Sequence, residues 1–306
     1  MPPRNRSLSA TTMDPDESSD CDGTTAIVLD QNGGPLVPMP AEYTFMERLR
    51  RNAILYVIMP IFGPPVMAIA LLRGKLVWDD IKQLFWAVKD AAIDPVNRMP
   101  YYQDRDLLSK VYRLPSAKHY IQRNALEWQK QEGYCAPATL RCVLKSFDCY
   151  PLDMLPPQVS GPSHPEKWCS AIKELADKKH EAMPSFHTEI TSGDEPYESF
   201  LASLRKVNDD KYRVVVNFLR PVLFGFKNPW WHPTHLVFGL FGGHFSPVIG
   251  ILETKEYGSD NPLVAIFDVN HSYGGTYLVP AKRLYQSVRA KDIATHNSRA
   301  VVILSQ

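Results

Sequence analysis

Polar residues dominate the first 42 positions, where Ser, Thr, Asp, Pro and Gly leave few large apolar side chains. Asp14, Asp16, Glu17, Asp20 and Asp22 add a short acidic patch. Such a stretch cannot bury a core, so residues 1–42 read as a disordered tail, either inert or regulatory. The pattern then inverts. Residues 53–72, AILYVIMPIFGPPVMAIALL, carry no charge and match the hydrocarbon thickness of a bilayer. Arg48, Arg50 and Arg51 precede them, and Arg73 and Lys75 follow; flanks this even fix no orientation. Pro60 and Gly63-Pro64-Pro65 are awkward within a straight helix. The segment therefore reads as a spanning helix, a hairpin entering one leaflet, or a buried helix pair. Residues 76–93 follow with helical spacing: Ile81, Leu84, Phe85 and Val88 form a stripe with Trp78 and Trp86 nearby. Asp79, Asp80, Lys82 and Lys89 fill other faces. This amphipathic helix suits a membrane surface or the flank of a soluble domain. Residues 43–95 are grouped as the membrane-associated region.

Residues 96–118, with Pro100 and Pro115, read as a linker or wrapping arm. The globular domain is placed at 119–306. His119 to Trp128 reads as a short helix or turn, and Ala136, Thr139, Leu140, Val143 and Leu144 recur at helical spacing. A Pro-rich loop covers 151–166, and helices are expected near 167–179 and 195–207. The period then changes to that of strands over 212–218, 248–252, 263–269 and 299–304, rich in Val and Ile. Residues 235–241 read as loop or strand. Helices followed by strands predict an α+β domain with a mainly antiparallel sheet.

Charge changes the picture little. The 34 Lys and Arg balance 33 Asp and Glu, so nothing points to nucleic acid or an acidic partner. The cysteines, Cys21, Cys135, Cys142, Cys149 and Cys169, are odd in number and lack CxxC spacing. They read as free thiols in a reducing compartment, hence a cytoplasmic catalytic domain.

Cys135 is the position with chemistry to offer. It follows Gln129 to Tyr134 and opens the helical run, with Pro137 fitting a first turn. A thiol there meets free N–H groups and the positive end of the helix dipole, which favour thiolate. Gln129 stands where its amide could donate to an oxyanion. The alternative is that Cys135 is a small buried apolar residue. His244, in Gly242-Gly243-His244-Phe245-Ser246-Pro247, precedes one strand, and Asp268 ends another. Nucleophile, general base and orienter are the three roles of thiol catalysis.

The block Gln129, Tyr134, Cys135, Ala138, Thr139, Leu140, then Gly243-His244-Phe245-Ser246-Pro247, then Asp268-Val269, resembles phytochelatin synthase over about residues 119–306. The resemblance implies a papain-like fold with Cys135, His244 and Asp268 catalytic, and Gln129 at the oxyanion. It places Arg220, Arg299 and Tyr273 among substrate-binding positions. It further implies transfer of γ-glutamylcysteine from glutathione to glutathione or a phytochelatin peptide. No tightly bound cofactor is implied; Cd²⁺ or Zn²⁺ enters as a glutathione metal thiolate.

Two departures bear on this. Cys135 is followed by Ala136-Pro137 where the family has glycine, and His271 stands where an arginine is expected three residues after the aspartate. Without that arginine, second-substrate recognition weakens, and a glutathione hydrolase becomes the alternative. A membrane-tethered, non-catalytic binding module is the third reading. The apolar insertion Phe226 to Phe241 reads as a lid or a membrane-dipping loop; His232, His235 and His244 are too few for a metal site. Lipid contact through residues 53–72 is expected, and the sequence leaves a homodimer open.

Overall fold

The computed structural model of the chain describes residues 59–74, 77–131, 133–148, 150–158, 164–177, 185–225, 243–253, 260–291 and 299–305, with scattered positions between 35 and 57. The acidic tail and the insertion, with His232 and His235, lie outside the described residues, as do Cys21 and Cys149.

Helix α1 covers Met59–Leu72. It runs unbroken through Gly63-Pro64-Pro65, so no hairpin forms at that point. These 14 residues rise about 21 Å against a bilayer core of roughly 30 Å, and residues 54–56 and 58 of the apolar run lie outside the described residues. Among the described residues no helix is long and apolar enough to cross a membrane.

Helix α2, Trp78–Ile93, packs its Leu84 and Val88 against Leu219 and Val222. Its C-terminal end is tied by Arg283, whose Nη2 donates to the Asp94 carbonyl at 2.6 Å. Helices α3, Arg105–Tyr112, and α4, Pro115–Gln122, follow. The Asp104 carboxylate caps α3 by accepting from Leu107 N–H at 2.9 Å, and Pro115 opens α4. Val96, Tyr101, Leu108, Val111, Ala117 and Tyr120 are buried in the main core. The stretch read as a linker is thus packed against the sheet, with Leu114 and Val111 closing over Gly250.

Helix α5, Cys135–Ser146, is almost wholly buried. Helix α6, Pro165–Asp177, strand β1, His187–Ser192, and helix α7, Tyr197–Arg205, come next. Strand β2, Tyr212–Phe218, leads into the short helix α8, Arg220–Phe224. Strands β3, His244–Leu252, β4, Leu263–Phe267, and β5, Thr276–Pro280, are followed by helix α9, Ala281–Arg289, and strand β6, Ala300–Ser305. The sheet order is β1-β6-β2-β3-β4-β5, and every pair is antiparallel. Helices and an antiparallel sheet make this an α+β fold, as the order of helical and strand patterns predicts.

The inner strands are buried throughout, which explains their near-continuous Val and Ile runs. β1 is different. Its HTEITS pattern is largely polar because it lies at the sheet edge and is only partly covered. Pro247 sits inside β3, just before a register shift between Val248 and Gly250, where an irregular ladder tolerates a missing donor.

Candidate active site

Cys135 is the first residue of α5, and α5 is fixed by one side-chain bond to the sheet and one to α6. Thr139 Oγ1 donates to the Phe245 carbonyl at 3.0 Å, and Trp168 Nε1 donates to the Ala136 carbonyl at 3.1 Å. Trp168 also stacks on Phe245, with centroids 6.2 Å apart. The helix N-terminus is therefore held against the first residues of β3, where His244 begins the strand.

His244 Nε2 lies 2.8 Å from Asp268 Oδ1, and the imidazole is close enough to Cys135 for its charge to act on the thiol. With Nε2 engaged by Asp268, Nδ1 is the nitrogen left for sulfur. Phe218, opposite His244 in the β2–β3 ladder, meets the imidazole edge-on at 5.4 Å and limits its rotation.

Asp268 follows β4 and is fully buried. Its carboxylate accepts from the Asn270 N–H at 2.9 Å and from Tyr277 Oη at 3.2 Å, besides His244. Arg220, the first residue of α8, donates Nε to Oδ2 at 3.2 Å and Nη2 to Oδ1. The turn beyond Asp268 closes through Gly274 and Gly275, both at positive φ, and Gly275 returns its carbonyl to the Asp268 N–H at 3.0 Å. A Cβ at Gly275 would also lie 3.1 Å from Trp128, so glycine serves that turn twice.

These contacts set the charges. Burial opposes the Cys135 thiolate, but the His244 charge and hydrogen bond, the Phe245 N–H and Arg220 hold its pKa below the ordinary thiol value. Burial and Arg220 oppose protonation of His244; Asp268 and Cys135 outweigh them, and its pKa lies above the ordinary imidazole value. Burial disfavours the Asp268 charge, yet Arg220 and His244 hold its carboxyl well below the usual carboxylate range. Lowered sulfur and raised imidazole together favour a thiolate–imidazolium pair. The other described thiols behave oppositely: burial and Glu127 push Cys142 up, and burial pushes Cys169 up.

Gln129 joins the same cluster. Its N–H donates to the Val269 carbonyl at 2.7 Å, one residue beyond Asp268. Its Oε1 is buried without a hydrogen-bond partner.

The three remaining sequence candidates fare differently. Arg220 is committed to Asp268, and its Nη2 stands 2.5 Å from His244 Nε2. Tyr273 lies beneath it, with the guanidinium carbon 4.2 Å from the ring centroid. Arg299 is buried just before β6, at the same end of the sheet but two strands from His244. Its guanidinium bonds the Ala290 carbonyl, and its main chain bonds Val288 and Gly193. His271 occupies the turn after Asp268 and meets Trp128 edge-on at 6.5 Å.

Sequence reasoning missed Tyr277, Asn270 and Tyr102. Tyr102 stacks on Tyr277 at 5.1 Å and donates to the Tyr273 carbonyl at 3.0 Å. Asn270 could have been suspected from its place two residues after Asp268; Tyr102, far away in the chain, gave no such signal. Among the described residues no three His, Cys, Asp or Glu side chains form a metal-ligating group.

No protein-family model matches the chain, and no curated protein matches it.

Proposed function

We propose that the chain is a papain-like thiol acyltransferase of the phytochelatin synthase kind, acting on glutathione. The observation that carries this reading is the linked set Cys135–His244–Asp268, with Gln129 tied to the residue after the aspartate. The Cys135 thiolate attacks the Cys–Gly amide carbonyl of glutathione. Gln129 Nε2 and the Cys135 N–H receive the developing oxyanion. The C–N bond breaks, and His244 gives its proton to the departing glycine amine. The resulting γ-glutamylcysteinyl thioester on Cys135 passes to the α-amine of a second glutathione or a phytochelatin, with His244 taking the proton back. Cd²⁺ or Zn²⁺ enters on the thiols of the substrate.

Hydrolysis is the second reading, favoured by one observation. Arg220 is held by Asp268, and the position expected to supply another arginine is His271. An acceptor peptide with less to hold it competes less well with water for the thioester. Acid quenching during turnover with glutathione, followed by mass spectrometry of the peptide containing Cys135, tests the shared intermediate. A γ-glutamylcysteinyl adduct on Cys135, absent in Cys135→Ser, is expected. Turnover with no such adduct under rapid quench would overturn the covalent route.

A further inference from the structure

The outer face of α2 belongs to none of this chemistry. Positions 78, 82, 85, 86, 89 and 93 share one side of the helix at helical spacing. Trp78, Phe85, Trp86 and Ile93 on that side are each more than half exposed. An exposed apolar cluster with three aromatic rings on one helix face marks an interaction surface. The charges that stand among those rings are Lys82 and Lys89, with Lys89 Nζ 4.5 Å from the centroid of the Trp86 ring. Asp79 and Asp90 lie at the border of the face, and Asp79 pairs with Lys82 at 3.5 Å.

We infer that this face of α2 docks in the interfacial layer of a lipid bilayer and holds the catalytic domain at the membrane surface. Indole and phenyl rings favour the headgroup boundary, while lysines keep their stems in apolar surroundings and their ammonium groups at phosphate level. Earlier in the chain, α1 also exposes Ile61, Phe62, Ile69 and Leu72, with Arg73 after them. A second copy of the chain is the less suitable occupant. Self-pairing would take Lys82 and Lys89 of both copies out of water in one apolar face.

The attachment is rigid on the protein side. The inner face of α2 packs on Leu219 and Val222, which flank Arg220 in the chain. The Gly225 backbone closes on Ala92 so tightly that a Cβ there would lie 2.8 Å from its Cα. Docking would therefore fix the height of the active site above the lipid surface.

The test uses the full chain and vesicles of phosphatidylcholine, with and without phosphatidylserine, carrying brominated acyl chains. Tryptophan quenching is compared between the native chain and Trp78→Phe/Trp86→Phe, so that the difference reports α2 alone. The inference expects a clear quenching difference and stronger binding with phosphatidylserine. It also expects Phe85→Ser/Ile93→Ser to weaken vesicle partitioning by about tenfold. A vesicle-bound chain in which Trp78 and Trp86 contribute no quenching would overturn it, leaving insertion to residues 53–72 alone. Absence of vesicle binding, or a dimer that shields these tryptophans from lipid, would overturn it equally.

Discussion

Arg220 and Asp268 form a two-point ion pair in the centre of the site, with Nε 3.2 Å from Oδ2 and Nη2 bonded to Oδ1. Removing either partner leaves the other charge uncompensated in a buried place, at a cost of about 3–5 kcal/mol. Arg220→Gln and Asp268→Asn are each expected to lose about that much unfolding free energy. Because the two share one interaction, the double variant should lose clearly less than the sum. Urea unfolding of the four proteins measures this; strictly additive losses would contradict the coupling.

The same arginine sets a pH dependence. Its charge lowers both the Cys135 and the His244 pKa. Activity should be bell-shaped, rising as the Cys135 thiolate forms and falling as His244 loses its proton. Without the Arg220 charge both limbs should move to higher pH in Arg220→Gln. Stability follows its own signs. The raised His244 pKa gives stability present below about pH 6.5 and lost as pH rises through the folded value. The depressed Asp268 pKa gives stability present above about pH 3.9 and lost as pH falls through the folded value. Rate profiles and unfolding midpoints across pH check the two separately.

Cys135 should be the thiol that reacts first. At neutral pH iodoacetamide is expected to label Cys135 faster than Cys142 or Cys169, whose pKa values burial raises. Asp268→Asn should narrow that gap, because it weakens the imidazolium that stabilises the thiolate. Peptide mass spectrometry over a time course reads the rates. Equal labelling of Cys135 and Cys142 would contradict an activated thiolate.

Much of this arrangement is legible in the chain before any coordinates. The β-branched runs at 212–218 and 263–267 became inner strands because burial on both faces demands continuous apolar residues. Cys135 at a helix start, and His244 and Asp268 at strand ends, could be read from local pattern alone. Other features could not. β3 begins at His244 rather than Val248, because Ser246 and Pro247 look like a turn yet pair with Val216 and Val215. β1 escaped because it is polar, and β5 because its apolar run Tyr277-Leu278-Val279 is only three residues long before Pro280. Residues 96–118 looked like a linker because local composition cannot show that Leu108 and Val111 have a sheet to pack against. The use of Arg220 was hidden for the same reason: only the fold brings it to Asp268, 48 positions away.

His271 offers a way to separate transfer from hydrolysis. If acceptor binding is limited by the residue three places after Asp268, His271→Arg should raise the ratio of chain extension to hydrolysis severalfold, with little change in total glycine release. Its partly buried place beside Trp128 leaves room for some loss of stability, which unfolding curves would report. A variant that is folded and active, with an unchanged product ratio, would remove His271 from the account.

The most direct measurement is the product set from the full chain incubated with glutathione, with and without Cd²⁺, followed by mass spectrometry. The account predicts glycine release together with (γ-Glu-Cys)₂-Gly, stronger with Cd²⁺ and abolished in Cys135→Ser. Glycine and γ-Glu-Cys without extension would keep the thiol chemistry and point to hydrolysis. No Cys135-dependent release of glycine under either condition, from a folded chain supplied with vesicles, would contradict the central claim that this site breaks the Cys–Gly bond of glutathione.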